Sequence, residues 1–253
     1  MASRPWLGLL ANPYQLATLL LGIATCLLTL TTIPPSSVIY LIRADYNSNN
    51  GDAVASTAWF GNLGFCTGDV DNNSWNDGHS HIQCSGAIFG YDVGNPLQQD
   101  GATIVSFPEA STISIILTRG PIVLNPIAIA LCLVGMAAQQ AILRKPQALA
   151  FAISMGSSFL ALVVSGIAFI FEQALQSYIA AGRPKTGTIF TTTDGPLVKV
   201  IWLALSFQLA ACVVGFYTCI GGKYECEGGI RLEDSVNLES GATHSLIDEK
   251  RPF

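Results

Sequence analysis

Charge is the scarcest thing in this chain. Of 253 residues, 12 are Lys or Arg and 17 are Asp or Glu, which makes 11 % charged, against about 25 % in a soluble domain. Half of the residues are apolar. Together these numbers exclude an ordinary water-soluble domain and place the chain among membrane proteins, with the lipid bilayer as its first partner. No nucleic-acid partner is expected.

Reactive constellations are missing too. There is no nucleophile–base arrangement, Walker loop, Rossmann fingerprint or metal-ligand set. The glycines of "GGKYECEGG" (221–229) follow no strand. Hydrolysis within a membrane needs placed acids, histidines or metal ligands. The expectation is a protein that is not an enzyme and holds no cofactor.

Four stretches are there instead: 14–33, 121–143, 147–171 and 200–220. Each has the ~20 apolar residues that cross a ~30 Å hydrocarbon core as a helix, and none contains Asp, Glu, Lys or Arg. The first is longer than the apolar core of a signal peptide, and "TTIPPSS" is a poor cleavage site, so it is read as a retained helix. Pro121 and Pro126 are expected in the first turns of the second span, where a missing N–H costs little. Arg144, Lys145 and Pro146 make a tight turn between spans two and three, which are then antiparallel neighbours. Small residues recur at four-residue spacing: Ala152 and Gly156, then Ser157, Ala161 and Ser165, and again Ala211, Gly215 and Cys219. Such stripes let helices approach in lipid. Bundle packing is the first reading, and contact with a partner helix or with a second copy of the chain, a homo-oligomer, the second. Glu172, Gln173 and Gln176 close the third span, Gln139 and Gln140 lie near the end of the second, and Gln208 is the strongly polar residue deep in a span.

Four spans put both termini on one side. Basic residues do not choose the side: Arg4, Arg144, Lys145, Lys223 and Arg231 balance Arg43, Arg119, Arg183, Lys185 and Lys199. The cysteines do better. Of 7 cysteines, only Cys66 and Cys84 lie in the long polar loop 34–120, and the glycosylation pattern Asn72-Asn73-Ser74 lies between them. Disulfides persist outside the cytosol, so the loop is placed outside and both termini in the cytoplasm. The domains are then a membrane unit, 1–220, and a disordered cytoplasmic tail, 221–253. In that tail Cys226 is a candidate for S-acylation.

Within the loop, 36–46 has a strand's composition, followed by a turn at "NSNNGD". Further extended candidates are "AVASTAWFGNLGFC" (53–66), "IQCSGAIFGY" (82–91), "GATIVSF" (101–107) and "STISIILT" (111–118). The fold class is therefore a membrane all-α four-helix bundle with a small extracellular antiparallel β-sheet. A Cys66–Cys84 bridge would staple two strands. Gly61 and Gly64 permit a close backbone approach or a bulge beside it. Trp59, Phe60, Leu63 and Phe65 would cover the sheet face or meet the membrane boundary.

The loop is also acidic, with eight carboxylates against two arginines and so six net negative charges, which would concentrate Ca²⁺ near it. Asp69, Asp71 and Asp77 are the cation-attracting candidates. "DVDNNSWND" starts like an EF-hand loop, but Ser74 and Ser80 stand where Gly and Glu are required, so an EF-hand is rejected. His79 and His81 lack the further ligands a metal site needs, and no metal is assigned.

Four spans, a long first outer loop with "GNLGFC" and a later cysteine, and a short second outer loop resemble the claudin superfamily. Animal claudins carry tryptophan after the internal Gly–Leu pair. Here Gly64-Phe65 stands there, and the pattern looks more like the fungal claudin-like tetraspans. "IYLIRADY" (39–46), then "GNLGFC", and a compact tail look most like the Fig type, with the PalI/Sur type as the second choice. The Fig resemblance implies a plasma-membrane glycoprotein that assists calcium influx and membrane fusion with channel or fusion partners. The PalI/Sur resemblance implies a scaffold for ambient-pH signalling or cortical organisation. A channel in its own right is the third reading.

Overall fold

The computed structural model describes residues 12–36, 38–48, 55–70, 82–99, 102–103, 105–107, 111–144, 148–184 and 188–220. Four long helices carry it: α1 (Pro13–Leu30), α2 (Ser111–Arg144), α3 (Ala148–Ala180) and α4 (Pro196–Ile220). All four are long and apolar enough to cross a membrane. At 1.5 Å per residue they measure roughly 27, 51, 50 and 37 Å, so α2 and α3 outrun a ~30 Å hydrocarbon core. α1 begins where the sequence supplies an N-terminus: the Asn12 side chain accepts from the Tyr14 N–H at 3.0 Å, and Pro13 takes the first helical position. Its other end is Thr31, whose hydroxyl donates to the Leu28 carbonyl at 2.7 Å, and Pro34-Pro35 follow.

The excess length of α2 and α3 lies on the side of the loop 34–120. Residues 111–118, expected as a strand from their β-branched content, form the first turns of α2 instead. The reason is visible in what α2 buries: Ser114, Thr118, Pro121, Asn125, Ala128, Cys132, Gly135, Gln139 and Ile142 follow one another at spacings of three and four. That is a single helical face running the length of the element. Pro121 and Pro126 consequently sit inside the helix rather than in its first turns. Each lacks an N–H, which leaves the carbonyls of Leu117 and Ile122 without their helical donors.

The raised ends carry a five-stranded sheet in the order β4-β3-β2-β1-β9. Its strands are β1 (Ile42–Ser48), β2 (Ala55–Gly61), β3 (Gly64–Val70), β4 (Gln83–Cys84) and β9 (Thr188–Asp194), all paired antiparallel. Stretch 53–66, expected as one extended segment, turns back on itself at Asn62-Leu63. Of stretch 82–91 only Gln83 and Cys84 join the ladder. β9 comes from the connection between α3 and α4, where no strand was expected, and it pairs along all of β1. Two short ladders complete the region: β5 (Gln98–Gln99) with β6 (Ala102–Thr103), and β7 (Val105–Ser106) with β8 (Arg183–Pro184).

Alternation along the strands sorts the side chains. Ile42, Ala44 and Tyr46 of β1 lie with Ala58 and Phe60 of β2 on the face toward the helices. They form the main core with Tyr91, Leu175 and Ile179 of α3, and Leu197 and Ile201 of α4. Deeper in the bundle the clusters are small, Leu21 with Cys132, Ala161 and Ala211, and Leu28 with Ala128 and Ala204. In lipid, helices gain little by hiding apolar side chains from one another and gain more from close approach. A Cβ on Gly135 would stand 3.0 Å from Ser158 Oγ and 3.1 Å from Ser157 Oγ, and one on Gly215 would stand 2.6 Å from Met155 Sδ. Ser157, Ala161, Ser165, Ala211 and Gly215 are thus packing positions. Ala152 and Gly156 are not, since both are exposed. Large apolar side chains such as Leu149, Phe159, Ile170 and Phe216 cover the outside, as a lipid-facing surface requires.

Candidate functional site

The turn between β2 and β3 is the most constrained part of the sheet. Gly61 and Gly64 pair across its base, with Gly64 at φ +148°, a conformation that favours glycine. A Cβ on Gly61 would stand 2.8 Å from Pro35. Tyr91 holds the turn from the other side, its hydroxyl donating to the Gly61 carbonyl at 2.7 Å, and complete burial pushes its phenol well above the usual tyrosine value. Ile88 N–H donates to the Leu63 carbonyl at 2.8 Å, so the segment after β4 wraps the hairpin.

What the turn delivers is Asn62. Its side chain descends into the bundle and is 2 % exposed. There Nδ2 donates to Glu172 Oε1 of α3 at 2.7 Å and to the Thr31 carbonyl at the end of α1 at 3.3 Å. Asn125 of α2 reaches the same place, donating to Thr31 Oγ1 at 3.0 Å and to Glu172 Oε1 at 3.5 Å. The cluster of Glu172, Asn62, Asn125 and Thr31 therefore ties the sheet to three of the four helices. The sequence marked Glu172 only as the end of a span and the glycines only as room for the backbone. The signal that could have joined them is the lone carboxylate adjoining a long apolar run, with an Asn between two glycines and another beside Pro126.

On the opposite face of the sheet, Trp59 stands across from Cys66, and Cys66 across from Cys84. Cys66 and Cys84 are disulfide-bonded. The bridge closes a segment of 18 residues, removing roughly 3 kcal/mol of chain entropy from the unfolded state. The aromatic residues of the motif divide between the two faces. Phe60 and Phe65 pack on Tyr91, with ring centroids 6.4 and 5.6 Å away, while Trp59 lies over Gly68 on the disulfide side.

The remaining sequence candidates separate cleanly. Asp69 lies in β3 opposite Ser56, and its side chain is outside what the structure describes. Asp71, Asn72, Asp77, His79, His81 and Cys226 lie outside the described residues. Two other acids of the loop are already engaged: Asp45 accepts from Arg43 Nε at 2.8 Å and Thr57 Oγ1 at 2.7 Å, and Asp92 accepts from the Gly94 N–H and Ser114 Oγ. In the bundle, Gln208 is fully buried and donates to Ser165 Oγ at 3.0 Å and Cys132 Sγ at 3.3 Å.

A family model describes this layout. The SUR7/PalI family model matches residues 14–214, from the start of α1 to within the last turns of α4. The chain belongs to the SUR7/PalI family. No curated protein matches it. Membership falls on the branch that the motif comparison placed second, the PalI/Sur type, and gives no support to the Fig type placed first. In this SUR7/PalI chain the "GNLGFC" stretch serves three purposes at once: it turns the hairpin, seats Asn62 in the bundle, and places Cys66 for its bridge.

Proposed function

We propose that the protein is a non-catalytic, plasma-membrane scaffold of the PalI/Sur type, acting in ambient-pH signalling or in organising the membrane cortex through partner proteins. The observation that carries this reading is the SUR7/PalI match over all four helices. The build of the bundle supports it: the helices approach closely, as where Gly135 meets Ser157 and Ser158, and the deep amide nitrogen of Gln208 ties α4 to Ser165 and Cys132. The sheet and its disulfide would lie outside, with both termini in the cytoplasm. Among the described loop acids, Asp45 and Asp92 already serve their neighbours; the calcium candidates Asp71 and Asp77 lie outside the described residues.

The experiment is done in cells lacking the chain. Loss of the response to a shift into alkaline medium, or dispersal of cortical membrane patches, with both restored by the wild-type chain, is the expected result. Intact pH response and cortex, together with reduced calcium uptake in fusing cells, would overturn the scaffold reading in favour of the calcium one.

A further inference from the structure

The Glu172 cluster does not balance its charge. Glu172, Asn62, Asn125 and Thr31 are 1 %, 2 %, 3 % and 0 % exposed. Glu172 Oε1 accepts two amide donors, yet Glu172 Oε2 and Asn62 Oδ1 are buried with no hydrogen-bond partner. No basic side chain pairs with the carboxyl: the ion pair found among the described residues is Arg43 with Asp45. The groups facing the site are neutral. Thr31 comes from the end of α1, Asn62 from the hairpin turn and Asn125 from α2. Gln176, one turn further along α3, points its amide at the Leu41 carbonyl. Tyr91 donates its hydroxyl to the Gly61 carbonyl, and Arg119 of α2 is turned over the Phe89 ring, 5.8 Å from its centroid.

A dry, unpaired carboxylate is strongly disfavoured. A single positive charge removes that cost. A metal ion would need a shell of about six oxygens, whereas two acceptors here are unspent, and no metal-holding group of His, Cys, Asp and Glu occurs among the described residues. A proton needs one oxygen. We infer that Glu172 is a proton-binding site, loaded on Oε2 from the aqueous phase on the sheet side, and that its occupancy controls whether the Asn62 turn stays seated in the bundle. With the proton bound the carboxyl is neutral and stays dry. When the proton leaves to water, the charge has to be hydrated, and water reaches it only where the turn lifts away. The site extends the pH-signalling reading to a particular group, but its test uses purified protein, so it stands or falls separately from the cellular role.

The full chain is labelled with ¹³C-glutamate, placed in nanodiscs and followed by infrared difference spectroscopy as pH is stepped upward from about 6, where an ordinary glutamate is already ionised, to mildly alkaline. Hydrogen exchange of amides 61–64, corrected for intrinsic rates, is measured over the same steps. The expected result is a labelled protonated-carboxyl band that is lost over the same pH interval as the protection of the turn. Glu172→Gln should lack that band and keep its turn protected throughout. If the variant does not fold, coincidence of the two wild-type transitions still decides. No labelled protonated-carboxyl band at any pH, or a turn whose protection ignores its loss, overturns the inference. So does a site that responds at fixed pH to replacing sodium by choline, because the charge bound is then a metal ion.

Discussion

At Gly64 the backbone leaves no place for a side chain: a Cβ would stand 2.5 Å from the Gly86 carbonyl oxygen and 2.6 Å from Ser85 Oγ. Gly86 makes a useful contrast, because its φ is +71° but nothing lies within 4 Å of where its Cβ would be. Gly86→Ala therefore costs only left-handed strain, about 1 kcal/mol. Gly64→Ala adds a clash with backbone and should cost about 2–3 kcal/mol. Thermal unfolding in detergent should rank them in that order, and equal losses would mean that the turn does not hold Gly64 as described. Tyr91 gives a pH dependence. Its phenol is raised in the folded state by burial, so folding favours the neutral form. That stability is fully present below the unfolded tyrosine value of about 10 and is lost as pH rises beyond it, when the unfolded chain ionises and the folded one does not. Unfolding followed into strong alkali should show the fall. Tyr91→Phe should flatten it while lowering stability at neutral pH by about 1–2 kcal/mol, since the Gly61 carbonyl loses its donor.

α2 shows what hydropathy can and cannot reveal about an element. Its 34 residues exceed a membrane's needs, and the first ten or so stand in the sheet region. A membrane-impermeant maleimide should therefore label Ile116→Cys, 53 % exposed, and spare Leu133→Cys, 52 % exposed. Equal exposure with opposite labelling separates water from lipid, and labelling of both would place the hydrocarbon core elsewhere. The four spans were legible in the sequence because lipid imposes a length and an absence of charge that any window detects. The start of α2 was not, because Thr112, Ile113, Ile115 and Ile116 carry strand composition, and the competing sign, buried Ser114 and Thr118 at helical spacing, is small and polar. β9 escaped because its partner β1 lies about 145 residues away in sequence, and "TIFTTTD" gives no hint of what it will pair with. The hairpin glycines stand out in the sequence, but nothing there shows that the Asn between them meets Glu172. That contact exists only once the turn is folded onto the ends of α1, α2 and α3.

For the whole molecule the open variable is which way it faces, and its thiols can report it. Five basic residues lie toward each end of the bundle, in the helix ends or the segments beyond them, so charge gives no preference. The disulfide does, because the Cys66–Cys84 bridge lies on the sheet side and such bridges persist away from the reducing cytosol. If the sheet faces outward, every thiol on that side is already consumed. The described free cysteines are Cys26, Cys132 and Cys212, all within helices; Cys219 lies in the last turn of α4 and is replaced by serine in the labelled chains (Cys219→Ser), and Cys226 follows α4. On intact cells an impermeant maleimide should leave the chain without an added cysteine unlabelled. It should label Ile189→Cys, which sits 56 % exposed on β9. After permeabilisation Cys226 should become reactive, and if it needs hydroxylamine first, the thiol was S-acylated. Reduction before labelling should add Cys66 and Cys84 on intact cells and so mark the side of the bridge directly. The reverse pattern, with Cys226 reactive on intact cells and Ile189→Cys silent, would turn the molecule over. It would also remove the proposed proton site from contact with the external medium, because Glu172 lies beneath the sheet and takes its proton from whichever compartment the sheet faces.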